Sequence, residues 1–406
     1  PSVAAAIAPR LRSAGGGGTA PGQVFRRLIA SPAWAGTALA ASLALSIGLG
    51  SWALINQSAL KSAESDAVQA RLASADLVFM LQDELSVAAR SEVITTLEAE
   101  IYSLADYGLA AASDDAIANT AHLLNALGQA RMQEGQLESA LTAYSRAASL
   151  TGFLLEQDPA DPQRIFDHSQ AVFWIGDAAL TAGQIDIAAQ QFDAYRELAD
   201  QLVAIDPDNL TYRAEQAYSR VNSGAAALEQ SDLRTAQVLF DEAIVRFEDG
   251  LVDAGAVPRE SLANAYGWSS RASRSLGDLS RALEEIDQEI TGRSELVLEN
   301  PESRSQRRQL ANAQQGRLSI LLELGRTEEV EDQIDTLAGD LAVLAAEMPD
   351  SRPTRRIQLA VLRTRAYLAL WDGDLIRAKL LSDRAQADYA SGPGATSEDD
   401  RHIDGG

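Results

Sequence analysis

The chain has 406 residues, a formal net charge of −24 from 58 acidic and 34 basic side chains, and no cysteine. The lack of cysteine excludes disulfides, thiolate metal sites and cysteine nucleophiles. Phosphate binding requires clustered lysine and arginine, so the excess of carboxylates argues against nucleic acid as a partner.

The first 32 residues are predicted to form a flexible cytoplasmic segment. Residues 13–22 read SAGGGGTAPG, a linker composition that cannot bury a core. A linker normally joins two parts of a protein, and the chain begins with Pro1 rather than methionine. We therefore interpret residues 1–32 as following a cytoplasmic domain that precedes Pro1; the alternative is a short cytoplasmic tail.

Residues 33–55 carry no charge over 23 positions, with Trp34 and Trp52 near the two ends. At about 1.5 Å of rise per residue, such a helix crosses a hydrocarbon core about 30 Å thick and places its tryptophans at interface depth. A cleaved signal peptide would have a shorter apolar region, of about 7 to 15 residues. A buried soluble helix would need neither the length nor the aromatic pair. The sequence predicts a single transmembrane helix.

The charges beside this segment predict its orientation. Arg10, Arg12, Arg26 and Arg27 precede it without an acidic residue, whereas residues 56–76 hold three acidic and two basic side chains. The positive-inside rule then places the N-terminus in the cytoplasm and the rest of the chain outside. In a Gram-negative cell this predicts an inner-membrane protein with its C-terminal part in the periplasm.

Small residues recur every four positions in the predicted membrane helix, at Gly36, Ala40, Ala44 and Gly48. Such a stripe lets two membrane helices pack closely, and it predicts a homodimer through this helix. The alternative is that the stripe arises from composition alone, because the segment is rich in alanine and glycine.

Two further segments flank the main part of the chain. Residues 56–112 are rich in alanine, leucine and glutamate with helical spacing, and we expect juxtamembrane helices there. Residues 391–406 read SGPGATSEDDRHIDGG and are predicted to be a disordered tail.

A turn residue recurs through residues 113–390 about every 48 positions. Each turn residue is followed five positions later by alanine or, once, valine. Glycine at such a place supplies the left-handed conformation that ends one helix before the next begins. A period of this length predicts an all-α solenoid of about six helix pairs, each burying its apolar face against its neighbours. The turn residues are Gly135, Gly183, Ser231, Gly277, Gly325 and Gly373.

The second helix of each predicted pair carries its own pattern. Ala140, Tyr144 and Ala147 follow a spacing of four and then three, which puts them on one face. The next two pairs repeat this spacing with small and aromatic residues. A proline closes four of the pairs, because the residue before proline disfavours the helical conformation. The third pair lacks this proline.

These residues look like the tetratricopeptide repeat pattern at that family's spacing. The family's period is 34 residues, so the resemblance implies that the second helix here runs on for several extra turns. The long period and the Asp-Pro ends resemble arrays attached to bacterial single-pass membrane proteins, including signalling receptors. The fourth to sixth pairs depart from the pattern, with Leu318, Thr327 and Val330 in place of glycine, leucine and alanine. The residues that carry the resemblance are Leu124, Leu127, Gly128, Gly135, Ala140, Tyr144 and Ala147, and the repeats begin near Ala121, Ser169, Ala217, Ala263, Ala311 and Leu359.

Catalytic motifs are missing from the sequence. Its three histidines, His122, His168 and His402, are far apart in the predicted array, and no H-E-x-x-H, phosphate-loop or G-x-S-x-G motif occurs. We expect neither an enzyme nor a bound cofactor or metal.

The resemblance also implies a binding surface. In the family, positions 2, 5, 9 and 12 of each first helix line a concave groove. Amide, aromatic and arginine side chains there suit an extended peptide; the alternative is that they are ordinary solvated positions. The family's clamp for a C-terminal carboxylate uses lysine at position 5, where this chain has Asn125. The candidate groove residues are His122, Asn125, Gln129, Gln170, Phe173, Asp177, Tyr218, Asn264, Arg271, Asn312, Gln315, Arg363 and Tyr367.

Two classes of function fit these features. The first is a membrane-anchored periplasmic scaffold that binds a protein or peptide in its groove. The second is the sensor arm of a receptor whose effector domain, a kinase, Toll/interleukin-receptor or DNA-binding domain, precedes Pro1. The full-length reading frame would separate them.

Overall fold

The computed structural model describes residues 98–99, 101–102, 113–349 and 351–390. The predicted membrane helix with its small-residue stripe, the segment before it and the C-terminal tail lie outside the described residues, as does most of the predicted juxtamembrane region. In the part of the chain that the structure describes, no helix has the length and apolar character needed to cross a membrane.

The described chain is built from paired α-helices, which confirms the all-α class. It divides into two compact units, residues 1–158 and 159–406. Within its described residues 113–158, unit 1 contains the helix pair α1 (Asp114–Gln133) and α2 (Leu137–Gln157). Unit 2 contains the other pairs: α3 (Pro162–Thr181) and α4 (Ile185–Ile205), α5 (Leu210–Glu229) and α6 (Leu233–Arg246), α7 (Arg259–Ser275) and α8 (Leu279–Glu299), α9 (Arg304–Glu323) and α10 (Thr327–Glu347), and α11 (Arg352–Trp371) and α12 (Leu375–Ala390).

The turn within each pair has the predicted left-handed residue. Gly183 has a φ of 72°, and its N–H bonds the carbonyl of Leu180 at 3.0 Å. The N–H of Gln184 then bonds the carbonyl of Ala179 at 2.8 Å, which satisfies the end of α3 before α4 begins. Ser231 takes the same conformation, with a φ of 63°.

The ends of the second helices also follow the prediction. Asp206, the residue before a proline, leaves the helical region with φ −139° and ψ 91°, and Asn300 and Met348 do the same. The third pair ends differently, because α6 is followed by a kinked turn over Phe247–Leu251. Gly250, with a φ of 81°, breaks the helix there.

The extra length of the second pair is shared by its two helices. The resemblance places this length in the second helix, but α3 already begins at Pro162, well before the first motif position at Ser169. As a result α3 has 20 residues and α4 has 21. The first helix can start early because Asp161 caps it, accepting a hydrogen bond from the N–H of Gln163 at 2.8 Å.

The contact between the helices of a pair depends on a glycine facing an aromatic ring. A Cβ on Gly176 would stand 2.5 Å from Cε1 of Phe192, and one on Gly224 would stand 2.6 Å from Cε1 of Phe240. Only glycine leaves room for these rings. Gly128 and Tyr144 have the same relationship in unit 1.

The later pairs replace both partners of this contact. In the fourth pair Ser270 replaces the glycine and Ile286 replaces the aromatic residue. In the fifth pair Leu318 replaces the glycine and Ile334 replaces the aromatic residue. All four side chains are buried. The departure from the family pattern is therefore compensated, because a smaller partner accepts the larger residue.

Candidate functional site

The first helices of consecutive pairs bond each other along unit 2. Gln170 on α3 donates to Glu215 on α5 at 2.7 Å, and Tyr218 on α5 shares a hydrogen bond of 3.0 Å with Ser261 on α7. Gln306 on α9 then donates to Glu260 on α7 at 3.2 Å. We call the exposed surface of α3, α5, α7, α9 and α11 the first-helix face.

Two predicted groove residues at position 2 therefore hold neighbouring pairs together. A third, Asn264, is connected through the Arg293 guanidinium, which donates to its Oδ1 at 2.9 Å and also to Oε1 of Gln309 on α9. Arg293 forms a buried ion pair of 2.6 Å with Glu289. Asn312, at position 2 of the fifth pair, is exposed.

Glu215 receives two hydrogen bonds in a half-buried setting. The buried Tyr195 hydroxyl donates to its Oε2 at 2.5 Å, beside the bond from Gln170. Burial raises the pKa of Glu215, and the two hydrogen bonds oppose this shift. Burial and the neighbouring Glu215 charge raise the pKa of Tyr195. The contact thus joins α4 to α5 with a carboxylate that ionises less readily than usual.

The predicted residues at position 5 differ in their availability. Phe173 is half-buried, with its ring 5.5 Å from that of Tyr195 and 4.8 Å from that of Trp174. Gln315 is also half-buried and donates to Ser319 at 2.9 Å. Asn125, in unit 1, is half-buried with a buried Oδ1 that has no hydrogen-bond partner among the described residues. Arg363 is exposed.

The predicted residues at position 9 are mostly exposed. The Arg271 guanidinium lies over the Trp268 ring, 4.8 Å from its centre, and that ring stacks on Phe240 at 6.2 Å. Tyr367 is 64% exposed. Asp177 is half-buried, and burial raises the pKa of its carboxyl.

The predicted groove residues therefore divide into those that bond or pack within the fold and those that remain exposed. In unit 1 the exposed candidates are His122 and Gln129 on α1. On the first-helix face of unit 2 they are Asn264, Arg271, Asn312, Arg363 and Tyr367, of which Asn264 also accepts the hydrogen bond from Arg293.

Gly267 marks a feature of the site that sequence reasoning missed. It occupies position 5 of the fourth pair, and a Cβ there would stand 2.6 Å from Oε2 of Glu289. The missing side chain leaves room for this carboxylate between α7 and α8. Burial raises the pKa of Glu289, while the positive charges of Arg293 and Arg271 oppose the shift. The sequence signal for this close approach is a glycine inside a helix, at a position where the other pairs have a larger residue.

The exposed groups of the first-helix face are mainly amide, guanidinium and aromatic side chains. Its exposed amides and guanidinium groups can pair with a peptide backbone or carboxylate, and Trp268 and Tyr367 offer aromatic surface. Within residues 113–349 and 351–390, no group of three or more His, Cys, Asp or Glu side chains is arranged to hold a metal ion.

Comparison with known proteins bears on the fold. No protein-family model matches the sequence, and no curated protein is significantly similar to it. Among solved structures, the apo form of RapI is 12% identical, with 87% of this chain and 86% of that chain covered and a TM-score of 0.52. Aspartyl phosphate phosphatase F from Bacillus subtilis is 12% identical, with 79% and 70% covered and a TM-score of 0.50.

A tetratricopeptide repeat protein from Parabacteroides merdae is also similar, at 12% identity over 78% of this chain and 93% of that chain, with a TM-score of 0.42. The helix pairs and turns described above, rather than this last similarity, show that the chain has a TPR-like fold. The described helix pairs, their left-handed turns and their motif positions agree with this assignment of the fold.

Proposed function

We propose that this chain is a membrane-anchored interaction scaffold that binds an extended protein segment or peptide on its first-helix face. The proposal is of a binding protein rather than an enzyme. It includes the predicted transmembrane helix at residues 33–55 and the periplasmic location of the helix pairs, which rest on the sequence alone.

One observation carries the binding proposal. Asn264, Arg271 and Asn312 remain exposed on consecutive first helices that are joined directly to each other. An extended chain passing over α7 and α9 would meet amide groups that can pair with its backbone and a guanidinium that can pair with a carboxylate. The stack of Phe240, Trp268 and Arg271 holds that guanidinium in place.

The absence of cysteine from the chain allows a direct test. Asn264→Cys and Asn312→Cys would each carry a photoreactive label on the first-helix face. Glu284→Cys and Asp332→Cys place the same label at matched exposed positions on second helices. We expect one common adduct from both first-helix positions and none from the controls. Equal labelling from the two surfaces, or no adduct from either first-helix position, would refute the binding proposal.

The topology is tested separately. A reporter fused after Gly406 should be active only outside the cytoplasm, because the arginines before residue 33 orient the predicted span. Reporter activity in the cytoplasm would refute the periplasmic location and leave the binding proposal standing.

The second candidate is the sensor arm of a signalling receptor. It is favoured by the glycine-rich linker at residues 13–22, which suggests a preceding domain. A reading frame that encodes a kinase, Toll/interleukin-receptor or DNA-binding domain upstream of Pro1 would support it. A Pro1 that directly follows the initiator methionine would exclude it.

A further inference from the structure

The last helix pair exposes a cluster of large apolar side chains. Among the described residues, Leu370 and Trp371 at the end of α11 and Leu375, Ile376 and Leu380 on α12 are all exposed. We call these five residues the C-terminal patch. Trp371 is 69% exposed, Ile376 86% and Leu380 68%. Soluble surfaces rarely carry such a cluster unless something covers it.

Comparison with the other pairs shows that folding does not require two of these apolar residues, Trp371 and Ile376. The place of Trp371 is taken by Gln133, Thr181, Glu229, Ser275 and Glu323 in the five preceding pairs. The place of Ile376 is taken by Glu138, Asp186, Arg234, Ser280 and Glu328. Five pairs therefore fold with polar residues at both positions, so the fold of a pair does not explain why the sixth has apolar residues there.

The charges on α12 indicate what covers the patch. This helix carries three cations and two carboxylates, whereas α10 carries seven carboxylates and no lysine or arginine. In a chain with a net charge of −24, α12 is a surface on which two copies repel each other little. A strongly acidic or strongly basic partner would be attracted only weakly to the nearly neutral α12.

The order of charges along α12 is also self-complementary. Lys379 and Asp383 lie one turn apart beside Leu380, and they form an exposed ion pair of 2.8 Å. If a second α12 packs antiparallel around this point, Lys379 of each copy faces Asp383 of the other. Such an arrangement is closed by a twofold axis and leaves no repeating contact for a fibre.

We propose that two copies of this chain associate through the C-terminal patch, with their α12 helices antiparallel. The contact would bury Ile376 and Leu380. It would also replace the Lys379–Asp383 ion pair within each copy by two ion pairs between the copies. Residues 391–406 are a poor alternative cover, since Ile403 is the one large aliphatic side chain among mainly small and charged residues. The first-helix face is not used, so this inference goes beyond the proposed function.

Single-cysteine cross-linking of the full chain in membranes tests this contact. Leu380→Cys lies near the twofold axis, and Leu298→Cys, which is 79% exposed on α8, is the matched control. A short bismaleimide should yield at least about fivefold more covalent dimer from Leu380→Cys than from Leu298→Cys. The readout is this difference between positions, because association through the predicted membrane helix would affect both variants alike.

Two sets of substitutions in the Leu380→Cys background locate the contact. Trp371→Glu and Ile376→Glu introduce the residues that the fifth pair has at the same places, and together they should reduce the dimer at least about fivefold. Val245→Glu, an exposed change on α6, should not reduce it. Lys379→Asp should weaken the dimer, and adding Asp383→Lys should restore it. Circular dichroism would verify that each variant folds.

The proposal is overturned if Leu380→Cys cross-links no better than Leu298→Cys. It is also overturned if Leu380→Cys cross-links mainly to another protein, in which case the patch serves a different partner. Restoration by the Lys379→Asp and Asp383→Lys pair would support the antiparallel arrangement. Failure of this experiment leaves the photolabelling test of the first-helix face unaffected.

Discussion

Gly176 and Phe192 form a matched pair across the interface of α3 and α4. The ring of Phe192 lies where a side chain on residue 176 would begin, so a Cβ there would stand 2.5 Å from Cε1. The fourth pair solves the same packing problem with Ser270 and Ile286, and the Ser270 hydroxyl donates to the carbonyl of Ala282 at 2.8 Å.

This relationship predicts coupled mutations. Gly176→Ser alone should lower the free energy of unfolding by about 1–3 kcal/mol, because it overpacks the ring. Phe192→Ile alone should also destabilise, because it leaves a void. The double variant copies the fourth pair and should lose less than the sum of the single losses. A double-mutant cycle from urea unfolding measures this, and strict additivity would contradict the compensation.

Ser231 predicts a stabilising mutation. It is the one non-glycine residue with a positive φ in the part of the chain that the structure describes. Ser231→Gly should raise the free energy of unfolding by about 0.5–1 kcal/mol, because the left-handed conformation strains any side chain. The reverse change at the equivalent turn, Gly183→Ser, should lower it by a similar amount. Urea unfolding followed by circular dichroism tests both, and a loss of stability in Ser231→Gly would contradict the prediction.

Glu215 predicts a pH dependence of stability. Its pKa in the folded chain is raised above 4.5, so the folded state holds this proton more tightly than the unfolded state. The resulting stabilisation is present at low pH and is lost as pH rises through the folded-state pKa. Glu215→Gln cannot ionise and keeps an oxygen for the Tyr195 hydroxyl. Between about pH 4 and pH 7 its free energy of unfolding should therefore fall less than that of the parent.

The control for this prediction is Glu229→Gln, which changes an exposed carboxylate on the same helix. This variant controls for the loss of one carboxylate from α5. If Glu215→Gln shows the same pH dependence as the parent, then Glu215 does not titrate differently in the folded and unfolded states.

The buried pair of Glu289 and Arg293 predicts a large loss and its rescue. Arg293→Met leaves the Glu289 carboxylate buried without its partner and should cost about 3–5 kcal/mol. Adding Glu289→Leu removes that charge and fills a similar volume beside Gly267, so most of the loss should be recovered. Thermal or urea unfolding would measure both variants. A double variant as unstable as Arg293→Met would show that the bonds from Arg293 to Asn264 and Gln309 matter more than the ion pair.

The sequence alone determined the features that depend on local backbone conformation. Glycine spacing predicted the left-handed turns, as at Gly183, because almost only glycine adopts that conformation without strain. The residue before proline predicted where the second helices end, as at Asp206, because proline restricts the residue that precedes it. The four-then-three spacing predicted the buried face, and Ala188, Phe192 and Tyr195 are all buried.

The tertiary structure alone decided how residues distant in sequence share space. The family resemblance implied that Gln170, Tyr218 and Asn264 line a groove. In the structure the side chains of Gln170 and Tyr218 bond the next pair, and Asn264 bonds Arg293 on α8. No local pattern shows that Gly267 makes room for Glu289. The position of a side chain on one helix is periodic, but its partner is set by the packing of another helix, where hydrogen bonds and excluded volume decide which residues meet.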